Sequence, residues 1–333
     1  MRTGVIGCLN TNNIGDYIQT LAVIKLIGKD YKILDRESLN RYKEKPRKII
    51  INGWFMENPL NFPPSSNLNP LFISFHINPS ISKAFLNTST LSHLKEHQPI
   101  GCRDKFTQNL LETHKIKTFL SSCVTLTLNK KDFISSSYKE NTALIIGAFD
   151  RLKPYIQTKK GLYKMLISII KSPYKFLDYQ TKKIIFNKWL KQQNLKFNFA
   201  NQIAEKKISS HLEGLKLAEE LLRKIADSDY IITSRLHSAL PAVAMGKKVI
   251  FINEGLDNIN HSSRISGAQS FFKSIKLKEI RMLNFDSIII DKNHMIYSKK
   301  TQEIINTFLK TVSYTHLRAH ETDSYLVCRL LLE

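Results

Sequence analysis

Short apolar runs recur along this chain, and most of them lead into a stretch with helical spacing. "TGVIGCL" (residues 3–9) stops at the polar loop "NTNNIGD". After it, "YIQTLAVIKLI" places Ile18, Leu21, Ala22 and Lys25 at i, i+3, i+4 and i+7. "YKILD", "KIIINGWF", "PLFISFHI" and "PIGCRD" read as further strands, with "LSHLKEH" and "KFTQNLLETH" as helices on either side of the last. A helix after each strand brings the next strand back in parallel, so this order dictates a parallel sheet with helices on both faces.

The pattern pauses at the polar "NKKDFISSSYKEN" (residues 129–141) and restarts at "NTALIIGAF". The helix "HLEGLKLAEELLRKIADS", the strand "YIITS", the helix "LPAVAMG" and the strands "KVIFIN" and "DSIIID" follow. With 333 residues the chain can bury two ordinary cores. The expected fold is therefore α/β, with two Rossmann-like lobes over residues 1–135 and 136–311 and a cleft between them. Ligands of such sheets bind outside the carboxyl ends of the strands. No internal repeat or low-complexity tract interrupts the series.

Composition removes several function classes. No apolar run approaches the roughly 18 residues that span a bilayer, and the start "MRTGVIGCLN" lacks a signal peptide's apolar centre and cleavage site. Cys8, Cys102, Cys123 and Cys328 have no CxxC spacing, so neither a zinc site nor a disulfide framework is expected. The cytoplasm is the expected location. The net charge of +22 is unevenly spread. Residues 151–200 hold a dozen Lys and Arg against one acid, Asp178, interleaved with nine aromatic residues from Tyr155 to Phe199. This basic-aromatic insertion suits either an ordinary solvated lysine face or a contact with an anionic membrane leaflet. No nucleic-acid-binding motif accompanies it.

Residues 312–333, "VSYTHLRAHETDSYLVCRLLLE", contain no Lys although the rest of the chain is Lys-rich. They follow a plausible last helix, "KKTQEIINTFLKT", and resemble translated sequencing-adapter read-through. They are expected to be a non-native tail.

Three strand-to-helix junctions carry chemistry. In "NTNNIGD", Gly15 can permit a tight turn, and Asp16 can cap the helix or stand at a helix N-terminus that faces an anion. In "PIGCRDKFTQNLL", Asp104 followed by Thr107 fits an N-cap. Arg103 beside it offers a planar fork for carboxylate or phosphate, or a surface ion pair. In "TSRLHS", Ser234, Arg235, Leu236 and His237 sit between a buried strand and a helix. Arg235 can hold an anion or a salt bridge there, and His237 can serve as a second cationic donor, as a general acid or as a partner of the helix N-terminus. The loop "GLDNINHSSRISG" adds Asp257, His261 and Arg264. Trp54 can stack on a sugar or fill the core, and His76 closes a strand as a further acid/base candidate. HExxH, a nucleophile elbow, a P-loop and GxGxxG are absent from the sequence, and no metal cluster is expected.

"NIGDYIQTLA", "IGCRDKFTQNLL" and "DYIITSRLHSALPAVAMGKKVIFI", in this order and spacing, resemble the polysaccharide pyruvyltransferase family from about residue 1 to residue 280. The resemblance implies a two-lobed GT-B-like transferase. Such an enzyme moves the pyruvyl group of phosphoenolpyruvate onto sugar hydroxyls of bacterial surface glycans as a ketal. It implies that Arg103, Arg235 and His237 contact phosphoenolpyruvate; Ser234, Leu236, Arg264, Gly15 and Trp54 are expected to line the substrate site beside them. His237 would be the general acid and Asp16 or Asp257 the base. No metal and no cofactor beyond the donor substrate is implied. The acceptor would be a polysaccharide or lipid-linked saccharide, met at the inner face of the membrane through residues 151–200. The chain departs from the family at "INGWFMENP", where many members have a glycine-rich turn. Two rival readings are a nucleotide-sugar glycosyltransferase on a similar fold and a non-catalytic glycan-binding relative.

Overall fold

The computed structural model describes residues 2–53, 58–135, 138, 140–154 and 161–311. In the first half of the chain, β1 (Thr3–Gly7), α1 (Ile14–Ile27), β2 (Tyr31–Asp35), β3 (Arg47–Gly53) and β4 (Leu68–Phe75) come first. They are followed by α2 (Ser82–Phe85), α3 (Thr88–Glu96), β5 (Ile100–Cys102), α4 (Lys105–Thr113) and β6 (Thr118–Leu120). The second half opens with β7 (Thr142–Ile146), α5 (Leu162–Lys191), β8 (Lys196–Ala200), α6 (His211–Ala226) and β9 (Tyr230–Thr233). It closes with α7 (Leu236–Ala244), β10 (Lys248–Ile252), α8 (Ile259–Ile265), β11 (Lys273–Ile275) and α9 (His294–Lys310). The strands form two sheets, in the orders β2-β1-β3-β4-β5-β6 and β11-β10-β9-β7-β8. Every pairing is parallel, as the strand-helix alternation requires. The architecture is two Rossmann-like lobes.

The lobes are welded rather than merely adjacent. Helix α1 is buried almost all round from Ile14 to Ile24, beyond the single stripe that its periodicity shows. One side lies on the first sheet and the other on α6 and α7 of the second lobe, so Ile50 and Ile73 share one core with Leu144, Ile231 and Phe251. Gly214 on α6 lets the two helices cross closely, because a Cβ there would fall 2.4 Å from the Tyr17 ring. The Tyr17 hydroxyl meets His211 Nδ1 at 2.9 Å.

The structure departs from the sequence reading in three places. The three- to five-residue strands β6, β8 and β11 were not separated from their surroundings. "DSIIID" forms a single turn (Phe285–Ser287) and then irregular chain, with Ile288 buried against the outer face of the second sheet. Helix α9, expected with the C-terminal lobe, returns to pack on α1, β4 and the turn Val124–Thr127 of the first. Its Thr301 hydroxyl donates to Ser121 O at 3.4 Å. Residues 312–333 lie outside the described residues.

The basic-aromatic segment divides in two. Its end supplies the edge strand β8 and core residues Phe186, Trp189 and Leu190. Its beginning belongs to α5, whose 30 residues extend about 45 Å, against about 17 Å for a five-residue strand. Lys182 reaches Glu254 at 3.0 Å, just past the carboxyl end of β10, and Tyr179 meets Phe149 just past β7. Residues 162–178 therefore run beyond the carboxyl edge of the second sheet, roughly 25 Å of helix.

Candidate functional site

The carboxyl ends of β1, β4 and β5 from one lobe and of β7, β9 and β10 from the other meet at one place. After β1 the chain turns into α1, and the cap is Asn13, whose side chain accepts from Gly15 N at 3.2 Å. Asp16 is thus not the cap. It sits in the first turn and accepts from Thr11 Oγ1 and Asn13 Nδ2, both at 3.2 Å. Gly15 is helical, not a tight turn. A Cβ on it would lie 2.5 Å from Gln202 Nε2 and 3.0 Å from both Cβ and Nδ1 of His237. Glycine here allows two helix N-termini, one from each lobe, to approach within contact. Gln202 locks the approach: its Nε2 donates to Asn13 at 2.9 Å, and its Oε1 accepts from Ser238 on α7 at 2.7 Å.

The turn from β9 into α7 divides its residues between scaffold and site. Ser234 is buried and donates to Gly147 O at 2.6 Å, and Leu236 packs into the shared core. Both side chains hold the turn. Arg235 reaches Asp150 Oδ2 through Nε at 3.1 Å and Nη2 at 2.7 Å, so its charge is already engaged. His237 lies in the first turn of α7, buried, and its Nε2 has no hydrogen-bond partner among the described residues. Burial first, then the nearby Arg103, Arg264 and His76, hold its pKa well below the ordinary histidine value. The imidazole is neutral at pH 7.

From the first lobe, Asp104 caps α4 as the sequence indicates, accepting from Thr107 N and Thr107 Oγ1 at 2.9 Å each. Its other oxygen meets His76 Nδ1 at 2.5 Å. A carboxylate only accepts, so Nδ1 carries the proton and Nε2 is left as the basic nitrogen. Burial and the Arg103 guanidinium lower the His76 pKa to about 4, outweighing the attraction of Asp104. Arg103 itself is only 5 % exposed. Its Nε and Nη2 make no hydrogen bond among the described residues, and Nε stands 3.8 Å from Asp104.

From the second lobe come Arg151, after β7, and Arg264 and His261 on α8. Arg151 Nη1 lies 3.3 Å from His261 Nδ1, and burial and Arg235 lower its pKa to about 10. Arg264 is lowered to about 9 by burial and by Arg103 and Arg151, against the pull of Asp16. Four arginines and three histidines thus sense one another across the lobe boundary, with Asp16, Asp104 and Asp150 the acids among them. Crowded cations that depress one another's proton affinity are relieved by an anion. Two sequence candidates are not brought in. Asp257 is on the surface, 77 % exposed and paired with Lys276 at 3.2 Å. Trp54 lies outside the described residues.

Several contributors went unnoticed in the sequence. Arg151 is counted with the basic tract and Asp150 carries no pattern of its own, although both stand just after "LIIGAF", at a strand end. Gln202 carries no pattern. The Asp104–His76 pair joins residues 28 apart and could be read only by aligning two strand ends.

A family model described as polysaccharide pyruvyl transferase matches residues 13–255, from the cap of α1 to just beyond β10. The chain belongs to the polysaccharide pyruvyl transferase family. It is therefore a transferase, of a family that passes a pyruvyl group to polysaccharide. The matched span holds every cluster residue named above except His261 and Arg264. No curated protein matches the chain. Among solved structures, a functionally uncharacterised protein from Klebsiella pneumoniae is similar at 12% identity and a TM-score of 0.43, covering 83% of this chain and 93% of its own. A small, multiply charged anion is the kind of ligand that the cation cluster suits.

Proposed function

We propose that the protein transfers the pyruvyl group of phosphoenolpyruvate to two hydroxyls of a sugar in a surface polysaccharide or its lipid-linked precursor, forming a ketal. The observation that carries this is the buried Arg103 guanidinium. Its Nε and Nη2 make no hydrogen bond among the described residues, and His237 Nε2, equally unpartnered, lies in the same cluster. Phosphoenolpyruvate presents a carboxylate and a phosphate, and arginine forks bind both through charge-assisted hydrogen bonds. The N-termini of α1 and α7 add their positive ends.

Binding this anion raises the pKa of His237, so that the imidazolium can protonate the donor's methylene carbon. The resulting oxocarbenium-like centre is attacked by the first hydroxyl. His76, oriented by Asp104, accepts that hydroxyl's proton at Nε2. The second hydroxyl then displaces phosphate at the same carbon, and its proton leaves with the phosphate. One donor and one diol give one ketal and one inorganic phosphate, with no net redox change. Asp16 remains beside the cluster as an alternative base, whereas the exposed Asp257 is poorly placed for that role.

The acceptor brings in α5. Tyr163, Leu166, Ile170, Tyr174 and Leu177 are exposed at i, i+3, i+7, i+11 and i+14, one helical stripe, with Leu162, Ile169 and Phe176 exposed beside it. Lys171 and Lys175 flank the stripe. This overhang extends past the same sheet edge as the cation cluster. It supports a location at the cytoplasmic face of the membrane, with α5 lying on an anionic leaflet beside a lipid-linked acceptor. No helix among the described residues is long and apolar enough to cross a membrane.

The test incubates the protein with phosphoenolpyruvate and lipid-linked saccharides, following phosphate release and ketal formation. Wild type should form both in equal amounts, and Arg103→Gln and His237→Gln should each lower kcat/KM by about 100-fold or more. Turnover of nucleotide sugars with phosphoenolpyruvate untouched would refute the reading.

A further inference from the structure

A cavity lies far from the cation cluster, at the opposite, amino-terminal edge of the first sheet. It encloses about 660 Å³ between the starts of β1, β3 and β4 and the ends of α3 and α9. His93, Glu96 and His97 line it from the last turn of α3. They are spaced i, i+3 and i+4, which puts all three on one helical face. One donor atom from each lies within 4.8 Å of the other two, the one such group among the described residues. We infer that His93, Glu96 and His97 bind a divalent transition-metal ion, zinc by preference, with a coordination position open to this cavity.

Four observations support the site. Two imidazoles and one carboxylate form a nitrogen-rich donor set, which suits zinc, cobalt or nickel over calcium or magnesium. His93 Nε2 is buried and has no hydrogen-bond partner among the described residues, so a polar atom is left without a bond unless a ligand supplies one. The rings are already placed. His93 and His97 stand 4.5 Å apart between centroids, and His93 is held edge-on by Phe62 at 5.7 Å and Phe72 at 5.9 Å. Finally, the group stands at a helix C-terminus, where the backbone dipole favours a cation.

The cations that share the cavity are already engaged. Arg47 donates to Tyr42 and to Arg2 O, and Lys48 donates to Phe308 O at the end of α9. Bonds of about 2.1 Å bring zinc ligands to about 3.4 Å of one another. Glu96 is exposed and free to turn inward by the distance required. Three protein ligands leave the fourth zinc position to water or to an anion in the cavity.

The test titrates chelator-treated full-length protein with Co²⁺, read by its visible absorption, and with Zn²⁺, read by calorimetry. Wild type should take up one equivalent with the absorption of a site containing nitrogen ligands. Glu96→Gln and His97→Ala should weaken that uptake at least about tenfold. Glu96 is on the surface, so its variant keeps the fold. Zinc should also raise the thermal midpoint of wild type but not of Glu96→Gln. Wild type that takes up no metal, or variants that bind as tightly as wild type, would overturn the site. Neither readout involves phosphoenolpyruvate, so this inference stands or falls apart from the proposed function.

Discussion

At residue scale the site is built from polar groups placed where burial costs them most. Arg103 Nε and Nη2 and His237 Nε2 are buried without hydrogen-bond partners among the described residues, and that cost is offset when a ligand supplies them. His76 shows the same tension in a measurable form. Its folded pKa of about 4 lies below the ordinary value of 6.5, so between those two pH values the unfolded chain binds a proton that the folded one excludes. The contribution of His76 to stability is therefore complete above about pH 6.5 and falls as pH drops toward 4, by up to about 3 kcal/mol. Asp104, whose carboxyl is held below its ordinary 3.8, loses its own contribution only in more acid solution. Denaturant unfolding of wild type at pH 7 and pH 5 should show this loss, and His76→Gln should show a smaller one. Equal losses in the two proteins would remove His76 from the account. Other depressed histidines, among them His93 and His237, keep the loss in the variant from vanishing.

At element scale, helices and strands with clear period were legible, and so was the cap at Asp104, because Asp followed by a hydroxyl residue three positions on is a local signal. The cap of α1 was misplaced to Asp16, since "NTNNIGD" offers several capping side chains and only geometry chooses Asn13 among them. The strands β6, β8 and β11 are too short to show an alternation, and they exist because a neighbouring strand pairs with them. Helix α5 was visible only as a composition. The structure divides that composition into a packed end, around Phe186 and Trp189, and an exposed apolar stripe. If the stripe lies on lipid, the protein should co-sediment with anionic vesicles. Replacing Leu166, Ile170, Tyr174 and Leu177 by Ser should lower that binding by about tenfold or more. Binding to anionic vesicles that the four substitutions leave intact would show α5 to be a solvated face.

At the scale of the whole molecule, two parallel lobes were legible from the strand-helix order, but their union was not. The burial of α1 on both sides, the return of α9 and the meeting of Gly15 with His237 depend on contacts between distant parts of the chain. That union makes the site, because Arg103 and His76 come from one lobe while His237, Arg151 and Arg264 come from the other. The "SRLH" stretch lies in this joint cluster, and its Arg235 and His237 are held differently. Arg235 is tied to Asp150, whereas Arg103 has two guanidinium nitrogens, Nε and Nη2, without a hydrogen bond among the described residues. The central claim is that this joint cluster holds the phosphate and carboxylate of the donor. Calorimetric titration of the protein with phosphoenolpyruvate tests it most directly. Saturable binding to wild type, weakened at least about tenfold in Arg103→Gln and in His237→Gln, is the result the account requires. Binding that both variants retain in full, or no binding to wild type, would contradict it.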